Sequence, residues 1–384
     1  MEQTQRDGYW NFTMKMSSLK ENWFIGCMSG TSMDGVDIAA IRTDGQKILE
    51  FGPTASKSFT PDEVEILHMA RGKWLGEEGV NQVARIVEET HLALLMQTSP
   101  KAIVGFHGQT LAHDPGNRKT HQAGDGQYLA DNLGKTVVWD FRKQDMLNGG
   151  EGAPLAPFYH FALAKYLGIT EPCAFINIGG ITNISIVDPQ KDEPVDNGAL
   201  IAFDIGPGNS LIDKFCNMKR NLPFDRNGYF ATRGKADNDL VRKFLEHEQL
   251  GFEGPKSFDI HDFYFLLNQV EQLRFEDGVA TLAECTIQAI STVLERTRLK
   301  PKHVVLCGGG TKNSYIVARL KEIAAMEIQT AEERGLPSQY LEAQAFGFLA
   351  ARVLGNLPTS APGTTGCEYP TVGGRISQPR KTKT

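Results

Sequence analysis

The residues of this 384-residue chain best suited to holding a phosphorylated ligand fall in two short glycine-bearing turns. The first spans Ser29–Asp37 and supplies Gly30, Thr31, Ser32, Met33, Asp34, Gly35, Val36 and Asp37. It joins two apolar, β-prone runs, Trp23–Cys27 and Val36–Ile41. Glycine tolerates positive φ and Asp-Gly favours a reversal, so the pattern predicts strand, tight turn, strand. Backbone N–H groups in such a turn, with the hydroxyls of Ser29, Thr31 and Ser32, can converge on a phosphate. An ordinary hairpin with a polar tip fits the same pattern. The second turn carries Asn177, Gly179, Gly180 and Asn183 between the runs Cys173–Ile178 and Ile181–Val187. One glycine hairpin is weak evidence; a matched pair at domain-length separation, each opening an α/β half, is the informative feature.

The candidate acids and bases lie beyond predicted strands. Asp204 closes the strand Ala199–Asp204 and enters a sharp turn, Gly206-Pro-Gly208, ahead of a helix from Leu211. A carboxylate there can meet a hydroxyl or water, cap the helix, or hold a divalent cation through water. Asp140 and Arg142 directly follow the strand Thr136–Trp139, where α/β folds carry functional side chains, although the two could simply pair with each other. His107, Gln109 and Thr110 fall on a predicted loop after the strand Lys101–Gly105, with donors and acceptors for a polyhydroxylated ligand or for their own backbone. Gly308, Gly309 and Gly310 follow the strand His303–Leu306 and would let the backbone pass close to a flat ligand such as adenine. Glu342 is a lone acid in an Ala-rich helix starting near Ser338. Buried and unpaired it would be costly; exposed in a first turn it would be favoured by the helix dipole. Leu133-Gly-Lys-Thr136 is not a P-loop, because Leu129 stands where the motif needs glycine.

These side chains need a scaffold, and the punctuation of the chain supplies one. Ile48–Thr60 reads as a strand pair, Thr60-Pro-Asp-Glu63 as a helix start, and Val80–Leu95 as an amphipathic helix. Ala153–Leu167 reads as an amphipathic helix entered through Pro154, and Asp277–Thr297 as a long helix with an apolar face. At Pro172 the chain starts again with a new strand pair. The expected organisation is an extension over residues 1–22, with Met14 and Met16 as alternative starts. A first α/β domain then covers 23–170 and a second 171–384, with room for the C-terminal segment to pack back on the first.

Composition narrows the class. Apolar content of 41% and charged content of 22% are ordinary for a globular protein, and a net charge of −6 argues against a nucleic-acid surface. Six scattered cysteines without a CxxC pair point to reduced thiols in a cytoplasmic protein and to no structural metal site. No apolar run approaches the roughly 18 residues that a membrane span needs.

Met28–Asp37, Gly105–Thr110, Asp140–Arg142 with Gly149–Leu155, Asn177–Asn183, Phe203–Asn209, Cys307–Gly310 and Glu342–Ala350 occur in this order. Together they resemble the anhydro-N-acetylmuramic acid kinase family, from Trp23 to about Gly374. The resemblance implies a two-domain fold of the actin/hexokinase/Hsp70 (ribonuclease H-like) type, with ATP in the interdomain cleft. Ser29–Asp37 and Asn177–Asn183 would be its phosphate loops, and Gly308–Gly310 its adenosine loop. It implies ATP and Mg²⁺ as partners in opening the 1,6-anhydro ring of 1,6-anhydro-N-acetylmuramic acid and phosphorylating O6, with Asp204 as base and Glu342 as second carboxylate. Asp140 is the rival base, and Arg142 would bind the sugar or its lactyl carboxylate. A levoglucosan-type anhydrosugar kinase is the alternative, and a homodimer is compatible with either. A hexokinase-like enzyme acting on a free hydroxyl, or an ATP switch without sugar-side residues, fits the motifs less well.

Overall fold

The computed structural model describes residues 23–30, 32–247, 250, 254 and 256–380. The expectations for the N-terminal extension, its alternative starts and Thr31 lie outside the described residues. The chain divides into two compact units, one of residues up to 167 together with those from 340 onward, the other of residues 168–339. The first unit is therefore discontinuous in sequence.

In that unit β1 (Trp23–Ser29), β2 (Gly35–Thr43) and β3 (Ile48–Ser58) form an antiparallel meander. β4 (Ile103–Asp114) lies parallel to β1, β5 (Lys119–Ala123) folds back on β4, and β6 (Val137–Trp139) runs parallel to β4. The second unit repeats the plan. β7 (Cys173–Ile178), β8 (Ile181–Val187) and β9 (Leu200–Pro207) form an antiparallel meander. β10 (His303–Cys307) and β11 (Glu327–Thr330) add in parallel, giving the order β11-β10-β7-β8-β9. The chain then returns to the first sheet, where β12 (Arg375–Ser377) closes the far edge against β6. The order there is β12-β6-β4-β1-β2-β3, with β5 paired to β4. Each unit has its own apolar core, with Ile25, Val83, Val104 and Leu129 in the first and Ile176, Phe203, Val279 and Leu306 in the second.

Three expectations change. Ile48–Ser58 is one long strand rather than a pair. β4 does not stop at Gly105 but carries His107–Thr110 within it, with β5 supplying a partner for the backbone of Gln109 and Thr110. The helix after Pro154 begins at Pro157, ends at Tyr166, and is apolar on nearly every side, so it is a core helix and not an amphipathic one. The capping box at Thr60 and Glu63 forms, with Glu63 N–H on the Thr60 hydroxyl at 3.3 Å and Thr60 N–H on the Glu63 carboxylate at 2.7 Å.

The helix Leu341–Leu354 lies against β1, β2 and β4. It approaches so closely that a Cβ on Gly26 would stand 1.7 Å from the Ala343 carbonyl oxygen, and one on Gly105 would stand 2.2 Å from that of Phe346. Two strand glycines thus let helix backbone rest directly on sheet backbone. Among the described residues no helix is long and apolar enough to cross a membrane.

Candidate active site

In the first unit the Ser29–Asp37 turn joins β1 to β2 as a true hairpin connection. Gly30 carbonyl accepts from Met33 N–H at 3.1 Å, and the Ser32 hydroxyl donates to Asp34 at 2.8 Å. Ser32 and Asp34 are exposed, whereas the side chains of Met33 and Val36 point into the core. Those two can therefore face a ligand only through their backbone. Gly35 has no room for a Cβ, which would meet Lys57 O of β3 at 2.6 Å.

Gln109 is fully buried and ties β4 to this turn. Its Oε1 lies 2.5 Å from the Ser29 hydroxyl and its Nε2 donates to Gly30 O at 3.0 Å. The amide is spent on holding the turn. Thr110 accepts from Gln122 Nε2 at 3.3 Å. His107 is buried too. Arg142 Nε donates to its Nε2 at 3.0 Å, so that nitrogen must be bare and the Nδ1–H donates to Gly108 O at 2.8 Å. Burial first, then the Arg142 charge, pull its pKa well below the usual histidine value, and its ring lies 4.5 Å from that of Phe346. His107 is a neutral acceptor that aims Arg142.

Arg142 Nη1 also donates to Gly152 O at 2.7 Å. That loop is itself fixed by the buried Asp145, whose carboxylate accepts from Gly152 N–H at 2.7 Å, from the Thr365 hydroxyl at 2.7 Å and from the Ser360 hydroxyl. Glu342 sits in the first turn of the Leu341–Leu354 helix, which is exposed only at its two ends, at Glu342 and Leu354. The residue is exposed as a whole, yet the protein around its carboxyl strips enough hydration from the ionised form to raise its pKa. Arg142 opposes the shift and Asp37 adds to it. Arg142, Glu342 and Asp37 thus share one electrostatic neighbourhood. Asp140, half-buried and held at a φ of +57°, has its pKa raised by desolvation against the pull of Lys143 and Arg375. The alternative in which Asp140 and Arg142 pair with each other gives way to a different arrangement, since Arg142 turns to His107 and Gly152.

In the second unit Asn177 on β7 stands directly opposite Asn183 on β8, which stands opposite Asp204 on β9. Residues opposite one another share a face, so the three polar side chains form a row across the meander. Three loops meet at its end. Gly208 N–H donates to Gly180 O at 2.9 Å and Asn209 N–H to Gly179 O at 2.7 Å, while Asn209 Nδ2 donates to Ile178 O at 3.1 Å. A Cβ on Gly308 would lie 2.2 Å from Asn177 Oδ1, and one on Gly310 2.3 Å from the Ile178 side chain. Two of the three glycines are thus demanded by the β7–β8 turn, and Gly309 alone has open space, its nearest neighbour being Asn209 Nδ2 at 3.6 Å. Ser338, near the expected start of the last long helix, accepts from Gly308 N–H at 3.1 Å, and the helix itself begins at Leu341.

Asp204 is half-buried and accepts from Phe258 N–H at 2.8 Å, and its own N–H donates to Lys256 O at 3.0 Å. Beside it stands Lys256, which in the sequence is only a loop cation. No local pattern marks it, because the loop meets β9 through tertiary contact. Asp145 escapes notice for a related reason, since its hydroxyl partners come from the far end of the chain.

Two α/β units that each carry a three-strand antiparallel meander extended by parallel strands, with polar and glycine-bearing turns at the meander tips, define the actin/hexokinase/Hsp70 class. The family model for anhydro-N-acetylmuramic acid kinase matches residues 22–379. The chain belongs to that family. A protein of that name from Cereibacter sphaeroides is 44% identical over 357 residues, covering 93% of this chain and 96% of the relative. One from a Ruegeria species is 42% identical over 355 residues, covering 92% and 94%. Among solved structures, an inorganic polyphosphate/ATP-glucomannokinase from an Arthrobacter strain aligns with a TM-score of 0.38 and 13% identity, over 87% of this chain and all of that one.

Proposed function

We propose that the protein is an ATP-dependent kinase that opens the 1,6-anhydro ring of 1,6-anhydro-N-acetylmuramic acid with water and phosphorylates O6, giving N-acetylmuramic acid 6-phosphate and ADP. Family membership across nearly the whole chain carries the reading. In this reaction Asp204 takes a proton from water as its oxygen bonds to C1. The C1–O6 bond breaks, and O6 takes the γ-phosphoryl group. Glu342 is the second carboxylate of the pair, and Asp140 is the rival for the base. Arg142, aimed by His107, binds the sugar or its lactyl carboxylate, while Gln109 and Thr110 hold the first turn and β5 beside it. Gly30–Asp37 and Asn177–Asn183 cradle the phosphates, and Gly308–Gly310 lies along the adenosine. Mg²⁺ would be carried in by the phosphates of ATP. Bound there, it neutralises phosphate charge. The six cysteines are buried and none is in a disulfide among the described residues, which supports a cytoplasmic setting; a homodimer is compatible with the reading.

The test is turnover in H₂¹⁸O with ATP, offering 1,6-anhydro-N-acetylmuramic acid and levoglucosan side by side. One ¹⁸O at C1 of N-acetylmuramic acid 6-phosphate is expected, and Asp204→Asn should lower kcat by about 10³-fold or more. Turnover of levoglucosan alone would move the substrate, and ADP release with neither sugar changed would overturn the function. Full activity in Asp204→Asn with loss in Asp140→Asn would transfer the base.

A further inference from the structure

We propose that Asp145, Ser360 and Thr365 are positioning residues for Arg142, holding in place the Gly152 carbonyl on which the guanidinium rests. What they do for catalysis rests on the reading of Arg142 as the group that binds the sugar. The path is continuous and made of hydrogen bonds. Arg142 Nη1 donates to Gly152 O at 2.7 Å, and Gly152 N–H donates to Asp145 Oδ2 at 2.7 Å. The other carboxylate oxygen, Oδ1, accepts from the Thr365 hydroxyl at 2.7 Å and from the Ser360 hydroxyl. Thr365 grips the loop a second time, its carbonyl accepting from Glu151 N–H at 2.7 Å.

Asp145 lies one turn beyond Arg142, in the short helix Lys143–Leu147, and is fully buried. A buried carboxylate is costly unless donors match its oxygens. Here the hydroxyl donors come from 215 and 220 residues further along the chain. An apolar side chain would fill the same space without that requirement, so the use of the carboxylate is the arrangement it imposes on the loop. That arrangement has little slack. Gly152 sits at a φ of +71°, and a Cβ there would meet Met146 Cγ at 2.7 Å. A Cβ on Gly150 would stand 2.2 Å from Asp145 Oδ2, so the loop backbone lies directly on the carboxylate. His113 Nε2 stands 2.9 Å from Glu151 O and holds the loop by a further contact. With Gly152 O fixed in this way and His107 Nε2 taking Arg142 Nε–H at 3.0 Å, two nitrogens of one rigid fork are anchored, which sets the plane of the guanidinium.

Thr365→Val, which keeps the shape and removes one hydroxyl from Asp145, tests the path in the full-length protein. KM for 1,6-anhydro-N-acetylmuramic acid should rise about fivefold or more, with KM for ATP changed less than about threefold. Thr365→Ser, which keeps the hydroxyl, should restore the sugar KM. In an Arg142→Lys background Thr365→Val should add less than about twofold, because both changes act on one guanidinium. Nitrogen-15 NMR gives a readout independent of turnover. The Arg142 Nε–H signal, assigned by its loss in Arg142→Lys, should exchange with solvent about tenfold faster in Thr365→Val. An unmoved Nε–H signal, parallel changes in KM for both substrates, or a full additional loss in the Arg142→Lys background overturns the proposal and leaves Thr365 a packing residue. A faster-exchanging Nε–H with an unchanged sugar KM would keep the path from Thr365 to Arg142 and sink the reading of Arg142 as the sugar-binding group. Should Thr365→Val fail to fold, Ser360→Ala puts the same question through the second hydroxyl.

Discussion

Arg142 shows how a residue can be legible in kind and hidden in use. Its place after a strand marks it as a candidate, but a pairing with Asp140 two residues away fits the sequence equally well. The structure spends two of its nitrogens on His107 and on Gly152 O, groups that come from a neighbouring strand and a later loop. A guanidinium can serve both because its donors form a rigid fork; an ammonium cannot reproduce that geometry. Arg142→Lys should therefore raise KM for the sugar by about tenfold or more while leaving KM for ATP nearly unchanged, as steady-state kinetics with each substrate varied would read. Equal losses for both substrates would show that the arginine holds the fold rather than the sugar. Glu342 is more readable, because a single acid in an Ala-rich helix has few ordinary explanations, and its first-turn exposure is what dipole arguments favour.

The helix that carries Glu342 is positioned by absence of side chains. Gly26 and Gly105 leave two gaps in the sheet into which the backbone around Ala343 and Phe346 settles. Gly26→Ala would place a methyl inside the van der Waals radius of a carbonyl oxygen that has no rotamer to escape into. A loss of about 3 kcal/mol or more in stability is expected, together with a fall in kcat as the Glu342 turn is pushed off the sheet. Denaturant unfolding and kcat on the same preparation check it; a stable, fully active variant would show that the helix can shift freely. The strands themselves are legible where apolar runs are bounded by glycine or proline, as at Cys173–Ile178 and Ile181–Val187, and so is the periodic helix Val80–Leu95. The continuation of β4 through His107-Gly-Gln-Thr110 is not. Polar residues look like loop until one sees that Ser29, Gly30 and β5 satisfy them, and those partners are remote in sequence.

At the scale of the molecule the two units respond to acid through groups of opposite sign. In the first, burial pulls His91 and His113 down to about 4 and His160 down to about 3. An unfolded chain protonates these rings near pH 6.5, so below that value it binds more protons than the native state and stability falls with pH. The raised carboxyls of Glu88, Asp140 and Glu342 in the same unit act in the other direction and offset part of the loss. In the second unit desolvation, helped by Asp225, lifts Asp213 to about 7. The native state there holds a proton that the unfolded chain releases, so this contribution grows as pH falls through 7. His160→Phe isolates one contribution: it should shrink the stability difference between pH 7 and pH 5 by about 2 kcal/mol. Urea unfolding of both proteins at the two pH values measures it, and an unchanged difference would mean that His160 is not held neutral.

The first unit is built from both ends of the chain, for β12 closes its sheet and the Leu341–Leu354 helix covers β1 and β4. During synthesis the order of completion is thus the reverse of the order of emergence. By the time the ribosome reaches residue 340, every residue of the second unit has been made, while the first still lacks a strand and the helix that fills its glycine gaps. The unit that holds β1 is the last that can be finished.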